Sequence, residues 1–576
     1  MAGKEKRTQQ AIGIANNDVA IIAWNYNQKI ANCLGFAIYR IDVKSNKRTA
    51  LPAWVGFKTD DNKDWQPNTT EQWPVQKFNW RDFEALHGGT YKYEVVPLIG
   101  KPGQLTPHND MSLTSNIVSL SPNCGSVSAY FNRGILSTQS LVHALPKDAS
   151  GRPEFQKLRD RIDQPGDPLR KSLAGEMLTA LPLLLERAKE EGGRCYCALY
   201  ELSDPEMEQL LLSSSFAHVI LSNTGSDDGE NMPARQALHE AGIDVTDRML
   251  GSGHIGHNKF AVYVDRNNKP QAVLTGSTNW TASALCCQSN NSILIESSEV
   301  ANFYFDYWNK LKADASKQGA EFRTQNTKSQ ETTLDNGKTD IKVWFSPNTR
   351  EKSKPIKNPM TPPDMDDVFR IMTNAKEAIL FLAFEPGQPS IIDKLAECQN
   401  NNSALFIRGA VTDPKAVQEY DTLLFHRSAS PDGSVASETN GSVIPAIEIK
   451  DQFSFWQKEL LKLSGAHAII HDKIVVVDPF SSYCTVITGS HNLGYRASYN
   501  NDENLTIIHG NSALTRAYTA HVMDVYDHYR FRYLVQQHAQ DAFSGLDIDD
   551  KWQDKYFDIN NEVQKEMNFW AKASII

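Results

Sequence analysis

One pattern occurs twice in this chain and limits what it can fold into. Residues 465–504 read GAHAIIHDKIVVVDPFSSYCTVITGSHNLGYRASYNNDEN, and residues 253–292 read GHIGHNKFAVYVDRNNKPQAVLTGSTNWTASALCCQSNNS. In each, a histidine stands two residues before a lysine, and a short apolar run follows. A second apolar run then ends in Gly-Ser-x-Asn. The pairs are His257 with Lys259 and His471 with Lys473, and the turns carry Ser277 and Asn279, then Ser490 and Asn492. Side chains two apart on a β-strand share a face, so each imidazole and ammonium should project together from one strand end. The valine-rich runs behind them fit strands covered on both sides. A constellation present twice is an internal repeat, and it implies two copies of one unit.

An imidazole beside an ammonium, near a small turn and an amide, suits an anionic tetrahedral phosphoryl group. Cleaving a phosphodiester requires neutralised oxygens, a nucleophile and a proton for the leaving group. Two histidines on opposite sides of one phosphorus can divide that work. One attacks in line; the other protonates the departing oxygen and then activates water. Lys259, Lys473, Asn279 and Asn492 would hold the non-bridging oxygens. Ser277 and Ser490 lack a Gly-x-Ser-x-Gly setting and read as turn residues that donate hydrogen bonds. The scheme calls for no metal and no cofactor.

The doubled His-x-Lys and Gly-Ser-x-Asn pattern resembles the phospholipase D superfamily, most nearly its bacterial endonuclease-like members, over roughly residues 121–537. The resemblance implies a phosphohistidine mechanism, with His257 as nucleophile and His471 as acid and base. Two departures stand out. In the first copy Val264 occupies the family's acidic position and Asp265 follows it, whereas Asp478 is on register in the second. The downstream carboxylate that orients a histidine is Glu503 in the second copy; its counterpart in the first falls among Asn290 and Asn291. If Glu503 polarises the second histidine, His471 becomes the alternative nucleophile.

The expected fold class is α/β: two phospholipase D-like α/β/α lobes forming an intramolecular pseudo-dimer, preceded by a small all-β domain. Residues 1–122 alternate like that all-β module, and GFAIYRI and GGTYKYEVVPL resemble strands of a fibronectin type III-like sandwich. Residues 123–315 form the first lobe, with a polar insertion at 145–167 and an aromatic helix at 300–311 that reads as core. Residues 316–340 are a polar linker, residues 341–546 the second lobe, and residues 547–576 an acidic, aromatic tail. The polar stretch 428–442 reads as a loop beside the site, and residues 137–144 match no motif. One chain of this kind makes one complete site, so a monomer suffices.

A net charge of −10 over 576 residues argues against a chain that coats nucleic acid or an anionic membrane everywhere, while leaving room for a local basic cleft. No apolar run is long enough to span a bilayer, and none follows the N-terminus as a leader would. The eight cysteines are scattered and lie largely in apolar runs, as buried thiols of a reducing compartment do, so the cytoplasm is the expected location. Nucleic acid is the expected substrate, with phospholipid as the alternative and an inactive scaffold as the third reading.

Overall fold

The computed structural model describes residues 9–60, 66–134, 155–224, 228–412, 427–429, 435–437, 443–445, 470–537, 545–559 and 561–573. Residues 137–144, most of the 428–442 stretch, His467 and the first part of the 145–167 insertion lie outside these. The rest of that polar insertion, which its Pro and Gly content marks as irregular, instead holds a helix at Phe155–Ile162.

Each lobe is built on one mixed sheet. In lobe 1 the strands are β1 (Val127–Phe131), β2 (Arg194–Leu199), β3 (Ala217–Thr224), β4 (Asp244–Leu250), β5 (Lys259–Val264), β6 (Pro270–Gly276) and β7 (Asn291–Ile295). In lobe 2 they are β8 (Thr339–Ser346), β9 (Ala378–Ala383), β10 (Phe406–Val411), β11 (Val443–Pro445), β12 (Lys473–Val477), β13 (Thr485–Gly489) and β14 (Glu503–His509). Lobe 1 orders its strands β1-β7-β6-β5-β2-β3-β4, and lobe 2 orders its own β8-β14-β13-β12-β9-β10-β11. The two orders are the same, strand for strand. In both, the last two pairings are parallel and the others antiparallel. The repeat read from the motifs is therefore a repeat of the whole sheet.

The strands carrying the lysines sit at the centre of each sheet, and β5 and β12 are buried along their full lengths. That accounts for their runs of Val and Ile, which face packing on both sides. After β7 comes helix α1 (Ser298–Asp314), capped by the Ser297 side chain on the Val300 amide. After β14 comes α2 (Ser512–Gln537) in the same position. Tyr304, Tyr307 and Trp308 of α1 are buried in the shared core, as the aromatic stripe implied.

The lobes join through a polar seam with matching halves. Asn291 Nδ2 donates to Thr488 Oγ1 (2.8 Å) and to the hydroxyl of Tyr518 of α2 (2.7 Å). Across the pseudo-twofold, Asn504 Oδ1 accepts from Thr275 (2.7 Å) and from Tyr304 of α1 (3.2 Å). Buried Arg248 adds an ion pair to Asp502 of the other lobe at 2.5 Å. Buried polar contacts between the lobes fix one docking geometry, because a slip would break these pairings.

Two segments differ from the sequence expectation. The 316–340 segment is ordered structure: a helix at Ala320–Gln325 and a strand at Gln330–Leu334 that extends the lobe 2 sheet along β8. Its low apolar content misled because its anchors are polar; buried Arg323 donates to backbone carbonyls of Gln318, Glu351, Lys352 and Tyr499. Nor is the C-terminal stretch a free tail. The N-terminal residues form two larger antiparallel sheets and a two-stranded one (Pro52–Ala53 with Asn68–Thr69), and Trp552, Tyr556 and Met567 complete the core between Trp24, Phe36 and Phe78. Trp552 donates its indole N–H to the Cys33 carbonyl (2.9 Å), and Tyr556 meets Phe78 with ring centroids 4.8 Å apart. Farther on, Phe569 stacks on Phe406 of lobe 2 at 4.4 Å. The acidic, aromatic composition is that of a strap tying the sandwich to lobe 2. Removing a buried Trp costs about 3–5 kcal/mol, so Trp552→Ala should lower the free energy of unfolding by that amount, read as a lower urea midpoint; an unchanged midpoint would show that the strap is dispensable.

Candidate active site

His257 and His471 each precede the central strand of their lobe, and the pseudo-twofold brings their rings to a centroid separation of 6.3 Å at 75°. Both are buried, at 3% and 4% exposure. The gap between them matches one tetrahedral group. Lys259 and Lys473 begin β5 and β12, and each ammonium donates to the carbonyl of its own motif histidine, at 2.7 and 2.6 Å.

The orienting groups are exchanged between lobes. His257 Nδ1 lies 2.9 Å from Glu503 Oε2 and 3.1 Å from the Ser490 carbonyl, both of lobe 2. His471 Nδ1 lies 2.9 Å from Asn290 Oδ1 of lobe 1. A carbonyl only accepts, so the His257 proton sits on Nδ1. The Asn290 amide nitrogen is spent on the Ala284 carbonyl, so its oxygen likewise requires Nδ1–H on His471. Each imidazole thus keeps its lone pair on Nε2. Glu503 serves His257 and not the histidine of its own motif. The argument for His471 as nucleophile, which assumed the opposite, loses its premise.

The Gly-Ser turns allow this exchange. A Cβ on Gly276 would meet the Asn291 carbonyl at 2.3 Å, and one on Gly489 would meet that of Asn504 at 2.4 Å. Only glycine permits so close a backbone approach. Ser277 then donates to Asn290 Oδ1 (2.8 Å), and Ser490 Oγ accepts from the Asn504 amide (3.0 Å). Both serines hold the orienting residues rather than facing the gap. Asn279 is buried; its Nδ2 donates to Glu201 at 2.5 Å, and its Oδ1 has no partner. Asn492 is half-buried, with its Oδ1 also unpartnered. Asp478 accepts from the amides of Lys376, Glu377 and Ala378 and pins a turn far from the gap. Asp265 likewise accepts from Asn267 and Lys269 amides in its own turn.

Sequence reasoning missed three groups at the rim: Tyr200 and Glu201 directly after β2, and Phe384 directly after β9. Tyr200 lies 5.0 Å from the His257 ring and under the Lys259 ammonium at 5.0 Å. Phe384 does the same for His471 at 5.2 Å and for Lys473 at 5.1 Å. Their one sequence signal is position, at the carboxyl ends of central strands, where α/β sheets place ligands.

Charge in this site is held under strain. Burial, then the two lysines, pushes both histidines well below the usual imidazole range, so both are neutral at pH 7. Burial also lowers Lys473, with Lys259 adding to it, and lowers Lys259 itself. It raises Glu503 to about 7. A further anionic group placed between the two lysines would relieve this crowding of positive charge.

Residues 368–524, from the helix at Pro363–Thr373 into α2, match the family model of the cardiolipin synthase phospholipase D-like domain. The chain carries a phospholipase D-like domain. Lobe 1 repeats its topology and its motif residues. Among solved structures, phosphatidylserine synthase from Haemophilus influenzae is similar at 12% identity over 64% of this chain and 91% of its own, with a TM-score of 0.39. Nuc, a phospholipase D family member from Salmonella typhimurium, shares 19% identity over 23% of this chain and 86% of its own, at 0.20. A polyphosphate kinase from Porphyromonas gingivalis shares 12% identity over 57% of this chain, which spans only 45% of that kinase, at 0.34. No curated protein matches the sequence.

If Glu503 sets the tautomer of His257, Glu503→Gln should slow the first chemical step by about 10²-fold or more, by the logic of a triad carboxylate. Because an activated leaving group needs little protonation, Asn290→Ala should act mainly on the second step, in which His471 takes the proton of the attacking water. Rapid-quench kinetics on a p-nitrophenyl phosphodiester separates the two, and equal effects on both steps would contradict the assignment.

Proposed function

We propose that this protein is a phosphodiesterase that works through a phosphohistidine intermediate, without a metal, and that its substrate is nucleic acid. The observation that carries the reading is the pair of imidazoles 6.3 Å apart, each with Nδ1 engaged by the opposite lobe and so with its lone pair on Nε2, and each with a motif lysine beside it. Glu503 on His257 favours that histidine as nucleophile. Attack by its Nε2 leaves positive charge on the ring, and the adjacent carboxylate stabilises it. His471, held by a neutral amide, gains less from being charged and gives up a proton more readily. Once the diester anion offsets the lysines, His471 takes up a proton on Nε2 from solvent, passes that proton to the leaving oxygen, and then accepts one from the water that opens the intermediate. Lys259, Lys473 and the amide groups of Asn279 and Asn492 take the non-bridging oxygens.

Substrate class rests on the segment 350–360, REKSKPIKNPM. Ser353 Oγ lies 3.3 Å from His254, three residues before His257, and the Lys354 ammonium donates to the Gln388 carbonyl of lobe 2 at 2.8 Å. The segment therefore bridges the lobes beside the site. It carries Arg350, Lys352, Lys354 and Lys357, which suit a phosphate backbone despite the acidic whole. A phospholipid is the second reading, favoured by Ile356 and Met360 in the same segment, exposed at 97% and 73%, and by the cardiolipin synthase name of the matching family.

Plasmid, single-stranded DNA, RNA and phosphatidylglycerol vesicles, each with EDTA present, distinguish these substrates. Cleavage of a polynucleotide is the expected result, and label from a trapped phosphoryl group should map to the His257 peptide. His257→Ala should trap nothing, whereas His471→Ala should accumulate label from an activated diester while losing about 10² to 10⁴ on a poor leaving group. Label on the His471 peptide would reverse the roles, and turnover of vesicles alone would replace the substrate.

A further inference from the structure

The Glu201 carboxyl stands among the groups that the proposed mechanism assigns to the phosphoryl oxygens. It takes the Asn279 amide at 2.5 Å, leaving Asn279 Oδ1 unpartnered although the side chain is 4% exposed. It is also attracted by both site lysines, Lys259 and Lys473, one from each lobe. Glu201 is half-buried at the end of β2, next to Tyr200, which lies against His257 and Lys259. An anionic substrate entering this gap meets a carboxyl group already bound to the Asn279 amide and within the field of both lysines. The two cannot share them as charged groups at close range.

We propose that the Glu201 carboxylate is a placeholder for the phosphodiester anion, holding the oxyanion donors in the free protein and yielding them by taking up a proton when substrate binds. This rests on the phosphodiesterase reading above. The balance is simple: protein and diester anion combine with one proton from solvent, no covalent bond changes, and the neutral carboxyl then donates to a non-bridging oxygen. Burial already favours the protonated form, opposed by Lys259 and reinforced by Glu230. The other charged groups facing the gap are Lys473 and Glu503, with His257 and His471 neutral. In this way Glu201 keeps the two ammonium groups compensated between turnovers, which a purely basic pocket could do only by binding stray anions. Lobe 2 has Glu385 at the matching place after β9, but it is exposed, so the device is one-sided.

The test uses dimethyl phosphate, a monoanion throughout the neutral range, with binding followed by phosphorus NMR between pH 6 and 9. Proton-coupled binding should make the wild-type Kd rise toward tenfold per pH unit on the alkaline side. Glu201→Gln, which is neutral at every pH, should bind more tightly at pH 8.5 and flatten that slope. Glu201→Ala should flatten it too, which guards against a folding artefact in either variant. If both variants keep the wild-type slope, the pH dependence belongs to Lys259 and the proposal is overturned. Weaker binding in Glu201→Gln at every pH would overturn it as well, by making the carboxylate a ligand rather than a competitor. Failure of the wild-type protein to bind dimethyl phosphate at any pH would remove the phosphodiesterase reading itself, and this inference with it.

Discussion

The bond from His257 to Glu503 crosses from one lobe to the other, and the rest of the structure depends on that crossing. Neither lobe alone can orient its own histidine, because Glu503 and Asn290 each reach the imidazole of the opposite repeat. The site therefore exists only when the lobes dock in one register. The seam supplies that register through Asn291 with Thr488 and Tyr518, and Asn504 with Thr275 and Tyr304. Arg248 locks Asp502, the neighbour of Glu503, from the far side. Buried polar contacts of this kind add less net stability than apolar packing would, but they punish misalignment heavily.

Duplication supplied two equal sites for an orienting group, and the sequence filled them unequally. A carboxylate on one histidine and an amide on the other turn a symmetric pair into two different reagents. Both imidazoles stay neutral because burial and the lysines outweigh the single carboxylate. In the proposed reaction charge enters with the substrate, whose anion offsets the lysines and lets one ring become cationic. Electrostatic pre-organisation is thus paired with a free state in which few of the charges are comfortable.

Much of this was legible in the sequence because catalysis here is concentrated in short local motifs. His257, Lys259, His471 and Lys473 could be placed on strand ends from spacing alone, and the common helix and strand order announced the pseudo-dimer. What was not legible depends on the docking of the halves. Spacing along the chain pairs Glu503 with His471, and only the seam reveals that it serves His257. Glu201, Tyr200 and Phe384 follow strands with no motif around them, so nothing local marks them. The C-terminal strap was opaque for the same reason: Trp552 and Tyr556 belong to a core that begins more than 450 residues earlier. The 316–340 segment misled in the other direction, since polar anchors such as Arg323 order it where apolar content would not.

The central claim is one phosphoryl site per chain, shared by both lobes. A crystal structure with vanadate, which adopts the geometry of an in-line transition state, tests it most directly. The account predicts a single vanadium between the rings, bonded to His257 Nε2, with His471 Nε2 on the opposite apical side and both lysines at its equatorial oxygens. Two vanadates, one held within each lobe, or one bound away from the histidine pair, would contradict it.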